Sequence, residues 1–153
     1  QEEALSLSDR VAVMFDGQIA AIGPPAELYA RPERMPVMAF LGEMNLIEGR
    51  VEGAKLVSGS LVLPLPEDLA GSQGTLNLGI RPEHIELGAP DGVACNIAEI
   101  VFKGPSVSIL AKGPDGQHFN ATVPAAQVAD QGLARGGVVK LGFPARHLVG
   151  LRV

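Results

Sequence analysis

The stretch LNLGIRPEHIEL, residues 76–87, decides the expected fold of the larger part of this chain. Apolar residues recur at every second position on both sides of a proline: Leu76, Leu78 and Ile80 before it, Ile85 and Leu87 after it. This alternation is typical of strands with one buried face. Pro82 interrupts the strand, since it lacks an N–H group and restricts Arg81 to extended conformations. The stretch therefore predicts a strand, a corner, and a continuation of the same strand.

Similar short strands are expected throughout residues 46–153. They are predicted at 61–65, 97–102, 107–111, 119–123, 139–143 and 148–153. The loop GPDG, residues 113–116, joins two of them into a hairpin. No long helices alternate with the strands, so a parallel sheet is not expected. The pattern predicts a small β-barrel or a sandwich.

Residues 1–45 have a different character. A short helix opens the chain at QEEALSLSD with no leader, so we expect the N-terminus to be a cut inside a larger domain. Asp16-Gly17 joins strands 11–15 and 18–22 in a tight hairpin, because both residues of such a turn need positive φ. Two helices follow at 26–30 and 33–41, with Gly42 ending the second. We place the domain boundary near residues 43–48, which gives domains 1–45 and 46–153.

Composition excludes several classes of function. The net charge is −5 and the 12 basic residues are scattered, which argues against a nucleic-acid partner. The longest apolar runs fall short of the ~20 residues that cross a bilayer. The one cysteine, Cys95, cannot form an internal disulfide, which suits a reducing compartment. The chain is therefore expected to be a cytoplasmic, β-rich protein.

The order of its segments resembles the C-terminal part of ABC-transporter ATPases. Residues 1–32, QEEALSLSDRVAVMFDGQIAAIGPPAELYARP, are similar to the stretch that follows the switch histidine of that family. Four later segments resemble the link into, and the body of, the transport-associated OB-type (TOBE) domain: MAFLGEMNLIEGRV at 38–51, LGIRPEHIEL at 78–87, DGQHFNATVP at 115–124 and VVKLGFPARHLVGL at 138–151. The resemblance implies a mainly β fold, an OB/MOP-like TOBE barrel preceded by an α+β remnant of the nucleotide-binding domain.

The resemblance assigns ATP hydrolysis to a parent protein rather than to this chain. The sequence contains no phosphate-binding G-x-x-x-x-G-K-[ST] loop, no LSGGQ-like signature and no strand ending in paired acids. The switch histidine would precede Gln1. ATP and Mg²⁺ are therefore expected as cofactors of the parent only, with no catalytic, cofactor or metal site in this chain.

The resemblance also implies partners and a location. A homodimer is expected, with membrane permease subunits and an extracytoplasmic solute-binding protein as partners of the parent. The protein would lie on the inner face of the cell membrane through the permease. LGIRPEHIEL at 78–87 favours sugar or glycerol-3-phosphate as cargo, and FLGEMNLIEG at 40–49 with EIVFKG at 99–104 makes polyamine the second choice.

One cluster is a candidate regulatory or interface site. It comprises Gly79, Arg81, Pro82, Glu83 and His84. A strand corner explains the cluster as well, with Arg81 and Glu83 forming a local ion pair of little net energy. The sequence favours the corner.

Other chemistry-bearing residues have simpler explanations. His84, His118 and His147 lack a second ligand at metal spacing and are interpreted as surface histidines. Cys95 has no basic neighbour within two residues and is interpreted as a small packed side chain. Glu2 and Glu3 are adjacent on a helix, so they point apart and cannot act as paired catalytic carboxylates.

Two alternatives to a regulatory and dimerising module remain. The first is a stand-alone barrel that binds a small oxyanion, as molybdate-binding domains of similar fold do. The second is an OB-type nucleic-acid binder, which needs a basic groove with stacking aromatics. Aromatic residues make up only 4% of this acidic chain, which makes the second alternative the weakest.

Overall fold

The computed structural model describes residues 2–152. Gln1 and Val153, the outer ends of two predicted segments, lie outside the described residues, as do the side chains of Glu2 and Ala4. The predicted mainly β architecture is confirmed: two five-stranded sheets form a nearly closed barrel. No helix of residues 2–152 combines the length and the apolarity that crossing a membrane requires.

Short elements precede the barrel. They are α1 (Glu2–Leu7), β1 (Val11–Phe15), β2 (Gln18–Gly23), α2 (Pro25–Ala30) and α3 (Met35–Leu41). The β1–β2 hairpin is confirmed, with φ of 50° at Asp16 and 73° at Gly17. The helix expected from residue 33 begins only at Met35, because Glu33 has a φ of 57° and cannot join a right-handed helix. These elements share a small core of Val13, Leu28, Val37 and Leu41.

The barrel is built from two successive halves of the same order. The first contains β3 (Asn45–Glu52), β4 (Lys55–Ser58), β5 (Leu61–Pro64), the 3-10 helix η1 (Glu67–Leu69), β6 (Thr75–Ile80), the 3-10 helix η2 (Pro82–His84) and β7 (Glu86–Leu87). The second contains β8 (Val93–Phe102), β9 (Ser106–Lys112), β10 (His118–Pro124), α4 (Ala125–Asp130), β11 (Val138–Gly142), the 3-10 helix η3 (Ala145–His147) and β12 (Val149–Leu151). Each half is an antiparallel meander, a short helix, a return strand, a 3-10 helix and a last short strand.

The two halves exchange their last strands. The sheets run β12-β6-β3-β4-β5 and β10-β9-β8-β11-β7, so β7 joins the second sheet and β12 the first. Leu87 pairs with Leu141, and Val149 pairs with Gly79. The expectation that Ile85 and Leu87 continue the strand of Leu76–Ile80 is therefore wrong. After Pro82 the chain does not return to β6, because η2 carries it to the other sheet.

One hydrophobic core fills the space between the two sheets. It runs from Ile47 to Leu148 and draws on both halves, with Leu56, Leu78, Val107, Ile109 and Leu141 fully buried. Strands β9 and β10 alternate buried and partly exposed residues, which is the period-two pattern seen in the sequence. The core of the preceding elements ends at Leu41, and that of the barrel begins at Ile47, which lies within the boundary region predicted at residues 43–48.

Candidate functional site

The predicted cluster lies where the chain crosses between the sheets. Arg81 is the residue before η2, with an extended backbone at φ −68° and ψ 147°, as Pro82 requires. Pro82 itself is buried at the first position of η2, and η2 packs against β10. The predicted strand corner is confirmed, and the same corner brings η2 toward the elements that precede the barrel.

Arg81 is a buried cation that joins the barrel to those elements. Its residue surface is 1% exposed. The guanidinium donates from Nε and Nη2 to the carbonyl oxygen of Tyr29, at 3.2 and 2.9 Å, and from Nη1 to that of Glu43, at 2.9 Å. It also lies 4.0 Å from the centre of the Tyr29 ring, which is cation–π geometry. Arg81 therefore fixes the end of α2 and the chain after α3 against the barrel.

The expected local ion pair between Arg81 and Glu83 is wrong. Glu83 is exposed, and its Oε1 accepts a hydrogen bond from the Tyr29 hydroxyl at 2.6 Å. Arg81 gives its hydrogen bonds to main-chain carbonyls instead. The reason lies in the tertiary structure. Tyr29 places its ring and its carbonyl beside Arg81 and its hydroxyl beside Glu83, so each charged residue contacts Tyr29 instead of the other.

This packing changes the electrostatics of both partners. Burial lowers the pKa of the Arg81 guanidinium, while nearby Tyr29 and Glu83 oppose the shift. Burial, followed by the hydrogen bond to Glu83, raises the pKa of the Tyr29 hydroxyl above 10. Arg81 stays a cation and Tyr29 stays neutral at ordinary pH, so the three side chains form a charge-compensated contact.

Gly79 has a steric role beside this contact. A Cβ atom at Gly79 would lie 2.8 Å from Cδ1 of Leu151 and would overlap the sulfur of Met44. The residue pairs with Leu46 on β3 and with Val149 on β12. The glycine thus allows Met44, just after Glu43, to pack over the β6 backbone.

His84 and His147 form a contact that the sequence analysis missed. Their rings stack with centroids 3.9 Å apart and an interplanar angle of 9°. Both side chains are half-buried, and their interpretation as surface histidines did not predict that the two rings meet. The sequence contains a repeat that relates the two histidines. In GIRPEHI at 79–85 and in GFPARHL at 142–148, glycine and an apolar residue come first, and histidine and an apolar residue come last, at the same spacing.

Two further polar residues support the site from the barrel. The buried Asn45 donates from Nδ2 to the carbonyl of Asn120 at 2.8 Å and accepts from its N–H at 2.7 Å. The Nδ2 group of Asn120 donates to Oε2 of Glu43 at 2.7 Å. Glu43 is thereby held through its side chain by β10 and through its carbonyl by Arg81. Tyr29 and these residues were not singled out from sequence, since only the fold brings them together.

The contacts of the site position one group of elements against another. Glu83 is engaged by Tyr29, and burial raises the pKa of the Cys95 thiol to about 11, which disfavours the thiolate. Within residues 2–152, no three His, Cys, Asp or Glu side chains lie close enough to hold a metal ion. The contacts described here join the barrel to the elements that precede it.

Comparison with known proteins identifies two matching family models. Residues 78–151 match the TOBE domain, and residues 45–87 match the CysA C-terminal regulatory domain. The two matched segments overlap at residues 78–87, the stretch that contains the Arg81 corner.

Several curated relatives are ATP-binding proteins of importers. The spermidine/putrescine import ATP-binding protein PotA of Rubrobacter xylanophilus is 35% identical over 158 residues, covering 96% of this chain and 42% of the relative. The sulfate/thiosulfate import ATP-binding protein CysA of Nitrosomonas europaea is 35% identical over 146 residues, covering 91% and 40%. The molybdate/tungstate import ATP-binding protein WtpC of Thermococcus kodakarensis is 44% identical over 86 residues, covering 56% and 25%. The chain thus spans less than half the length of these relatives.

A solved structure shares the barrel. The cytoplasmic molybdate-binding protein ModG, in a form with molybdate bound, superposes with a TM-score of 0.57 at 17% identity. The match covers 71% of this chain and 96% of ModG. At this identity the likeness concerns the fold alone.

Proposed function

Since the chain carries a TOBE domain and a CysA-type C-terminal regulatory domain, and its relatives are ATP-binding subunits of ABC importers, we propose that it is the regulatory and dimerising C-terminal part of such a subunit. Residues 46–153 form its regulatory barrel in this proposal. Residues 1–45 are the end of the nucleotide-binding domain, joined to the barrel through Arg81. The chain itself neither binds nor hydrolyses ATP.

The observation that carries the proposal is the fixed contact between the two parts. A regulatory domain can bias an ATPase only if movement of one changes the other. Arg81 ties the carbonyls of Tyr29 and Glu43 to the barrel corner, and Tyr29 is tied in turn to Glu83. Because the Arg81 side chain is buried within the chain, it serves this internal joint. A contact with a second subunit in the cluster would have to use the exposed Glu83.

The relatives support the proposed partners and location. The parent protein would work with membrane permease subunits and an extracytoplasmic solute-binding protein, on the cytoplasmic face of the membrane. ATP and Mg²⁺ would be bound by the parent's nucleotide-binding domain. The chain would pair with a second copy, so that two barrels hold two ATPase subunits together.

The comparisons do not support the sugar or glycerol-3-phosphate cargo favoured by sequence. The relatives named above are proteins for spermidine/putrescine, sulfate/thiosulfate and molybdate/tungstate import. We propose polyamine as cargo, because the relative that covers 96% of the chain is of that type. Cargo selection itself would reside in the permease and the solute-binding protein.

A chimera tests the proposal. Residues 1–153 replace the matching segment of the Rubrobacter xylanophilus relative, and the same relative truncated before that segment is the control. We expect the chimera to hydrolyse ATP with its permease and to import spermidine at rates within about tenfold of the intact relative. A chimera no more active than the truncated protein contradicts the proposal.

A small-ligand barrel is the second candidate function, favoured by the shared fold with ModG. Titration calorimetry with molybdate and sulfate, using chloride as a control, separates the two candidates. Saturable binding of molybdate or sulfate at micromolar concentration favours an oxyanion-binding module. Absence of heat in both titrations removes that candidate.

A further inference from the structure

The stacked histidines join the two halves of the barrel at their crossing points. His84 is the last residue of η2 and His147 the last residue of η3, the two 3-10 helices through which each half passes to the opposite sheet. The rings lie face to face with centroids 3.9 Å apart. Two neutral imidazoles stack well at this separation, whereas protonation of His147 places a second cation beside Arg146 in a half-buried site.

The same 3-10 helix holds the elements that precede the barrel. Glu83 accepts from the Tyr29 hydroxyl, and Arg81, directly before η2, binds the Tyr29 carbonyl and ring. Only three residues make up η2, so a shift of His84 moves Glu83 and Arg81 with it. The imidazole stack and the Tyr29 contact are therefore made by neighbouring residues of one short segment.

Burial and the charges around the stack favour the neutral state of His147. Burial, followed by the charges of His84 and Arg146, lowers the pKa of His147, and Glu86 partly opposes this. Arg146 is paired with Glu86 at 3.4 Å. Other charged or titratable groups lie near these elements. They are Glu67 and Asp68 on η1, Arg31 after α2, Arg81 directly before η2, Glu83 on η2 and His118 on β10. A histidine with a lowered pKa stabilises the fold fully above its unfolded pKa of ~6.5, and this contribution is lost as the pH falls toward the folded pKa.

We propose that the His84–His147 stack is a proton-sensitive joint: protonation of His147 at mildly acidic pH separates η2 from η3 and loosens the Arg81–Tyr29–Glu83 contact between the barrel and the elements before it. A pH change at the barrel crossing thereby reaches the first part of the chain. This inference concerns only contacts within the chain and stands whether or not the chain belongs to a transport ATPase.

Tyr29 provides the readout, because the sequence has one tyrosine and no tryptophan. Its fluorescence is measured from pH 7.5 to about 5.5, where an ordinary glutamate is still almost fully ionised. We expect emission to rise as the pH falls, because separation of η2 from Tyr29 breaks the quenching hydrogen bond to Glu83. The rise should disappear in the double variant His84→Phe/His147→Phe, which keeps two stacked rings that cannot titrate. His118→Gln is the matched control and should keep the rise.

Histidine proton NMR on the unmodified chain gives an independent test. The midpoint of the fluorescence change must coincide with protonation of His147. The His147 midpoint should also move upward in His84→Phe, because the neighbouring charge that lowers the pKa of His147 is removed. The proposal is overturned by constant fluorescence in the unmodified chain, by an unchanged rise in the double variant, or by a fluorescence midpoint that differs from that of His147.

Discussion

Arg81 shows how one residue can serve as a joint. A guanidinium has five donors in a planar fork, so it can bind two carbonyls and still lie flat on a ring. Arg81 uses this geometry on Tyr29 and Glu43 while its surface is 1% exposed. The sequence did predict the local backbone, because proline constrains the residue before it. It could not predict the partners, which lie 38 and 52 positions away.

Replacing Arg81 with methionine should destabilise the chain by about 2–4 kcal/mol, because two carbonyls lose their hydrogen bonds where water cannot easily replace them. The free energy of unfolding from urea denaturation measures this loss. Arg146→Met is the matched control: its side chain is 70% exposed and paired only with the exposed Glu86, so it should change stability by less than ~0.5 kcal/mol. Equal losses in the two variants would refute the role of Arg81.

Tyr29 should ionise above its ordinary pKa of 10.0, because burial and Glu83 both disfavour the phenolate. Since the folded pKa is raised, this contribution to stability is complete below pH ~10 and is lost as the pH rises through the folded value. Ultraviolet absorbance follows the ionisation of this single tyrosine. In Glu83→Gln the midpoint should fall toward the ordinary value. An unchanged midpoint would mean that Glu83 does not contact the hydroxyl in solution.

At the scale of elements, the close approach of the β3 and β4 backbones restricts which residue can stand between them. Gly49 on β3 lies opposite β4, and a Cβ atom there would be 2.7 Å from the carbonyl oxygen of Val57 and 2.8 Å from Cγ of Leu56. A main-chain oxygen cannot move aside without disturbing the β4–β5 pairing. The sheet therefore requires glycine at this position because there is no space for a side chain, and not because the backbone needs flexibility.

Gly49→Ala should lower the free energy of unfolding by about 1–3 kcal/mol, the usual cost of forcing extra volume into a packed site. Gly23→Ala is the control, since its Cβ would meet only the Leu28 side chain at 3.7 Å, an ordinary contact. Thermal unfolding of both variants measures the difference. Similar melting temperatures for the two variants would show that the β3–β4 contact is looser than the structure has it.

Individual elements were largely predictable, and their assignment to sheets was not. Alternating apolar residues indicated β9, β10 and β11, and Asp16-Gly17 indicated the β1–β2 hairpin, because these signals are local. The exchange of β7 and β12 between sheets depends on which strand each meets after a 3-10 turn. That choice is made by tertiary packing, and the only sequence trace of it is the repeated glycine-to-histidine spacing at 79–85 and 142–148.

At the scale of the whole molecule, two cores are joined at the Arg81 corner and by main-chain hydrogen bonds of Glu33 and Met35 with Arg152. The first core belongs to the elements before residue 42 and the second to the barrel from Ile47 onward. The family resemblance, which rested on the order of motifs, correctly indicated a TOBE-type barrel. The contacts that residues of the candidate cluster make with Tyr29 and His147 could not be predicted from the sequence, because only the fold brings these residues together.

Self-association is the part of the proposed function that this chain can display without the rest of an ATPase. Exposed apolar residues occur on several elements, among them Phe102 at the end of β8, which is 66% exposed, and Val138 at the start of β11, which is 68% exposed. Such residues would be covered in a complex with a second barrel.

The most direct measurement is the molar mass of the chain by light scattering across a dilution series. We predict a dimer, with twice the 15.9 kDa mass of one chain, that persists at low micromolar concentration. Particles of 15.9 kDa at every concentration would contradict dimerisation as a property of this barrel.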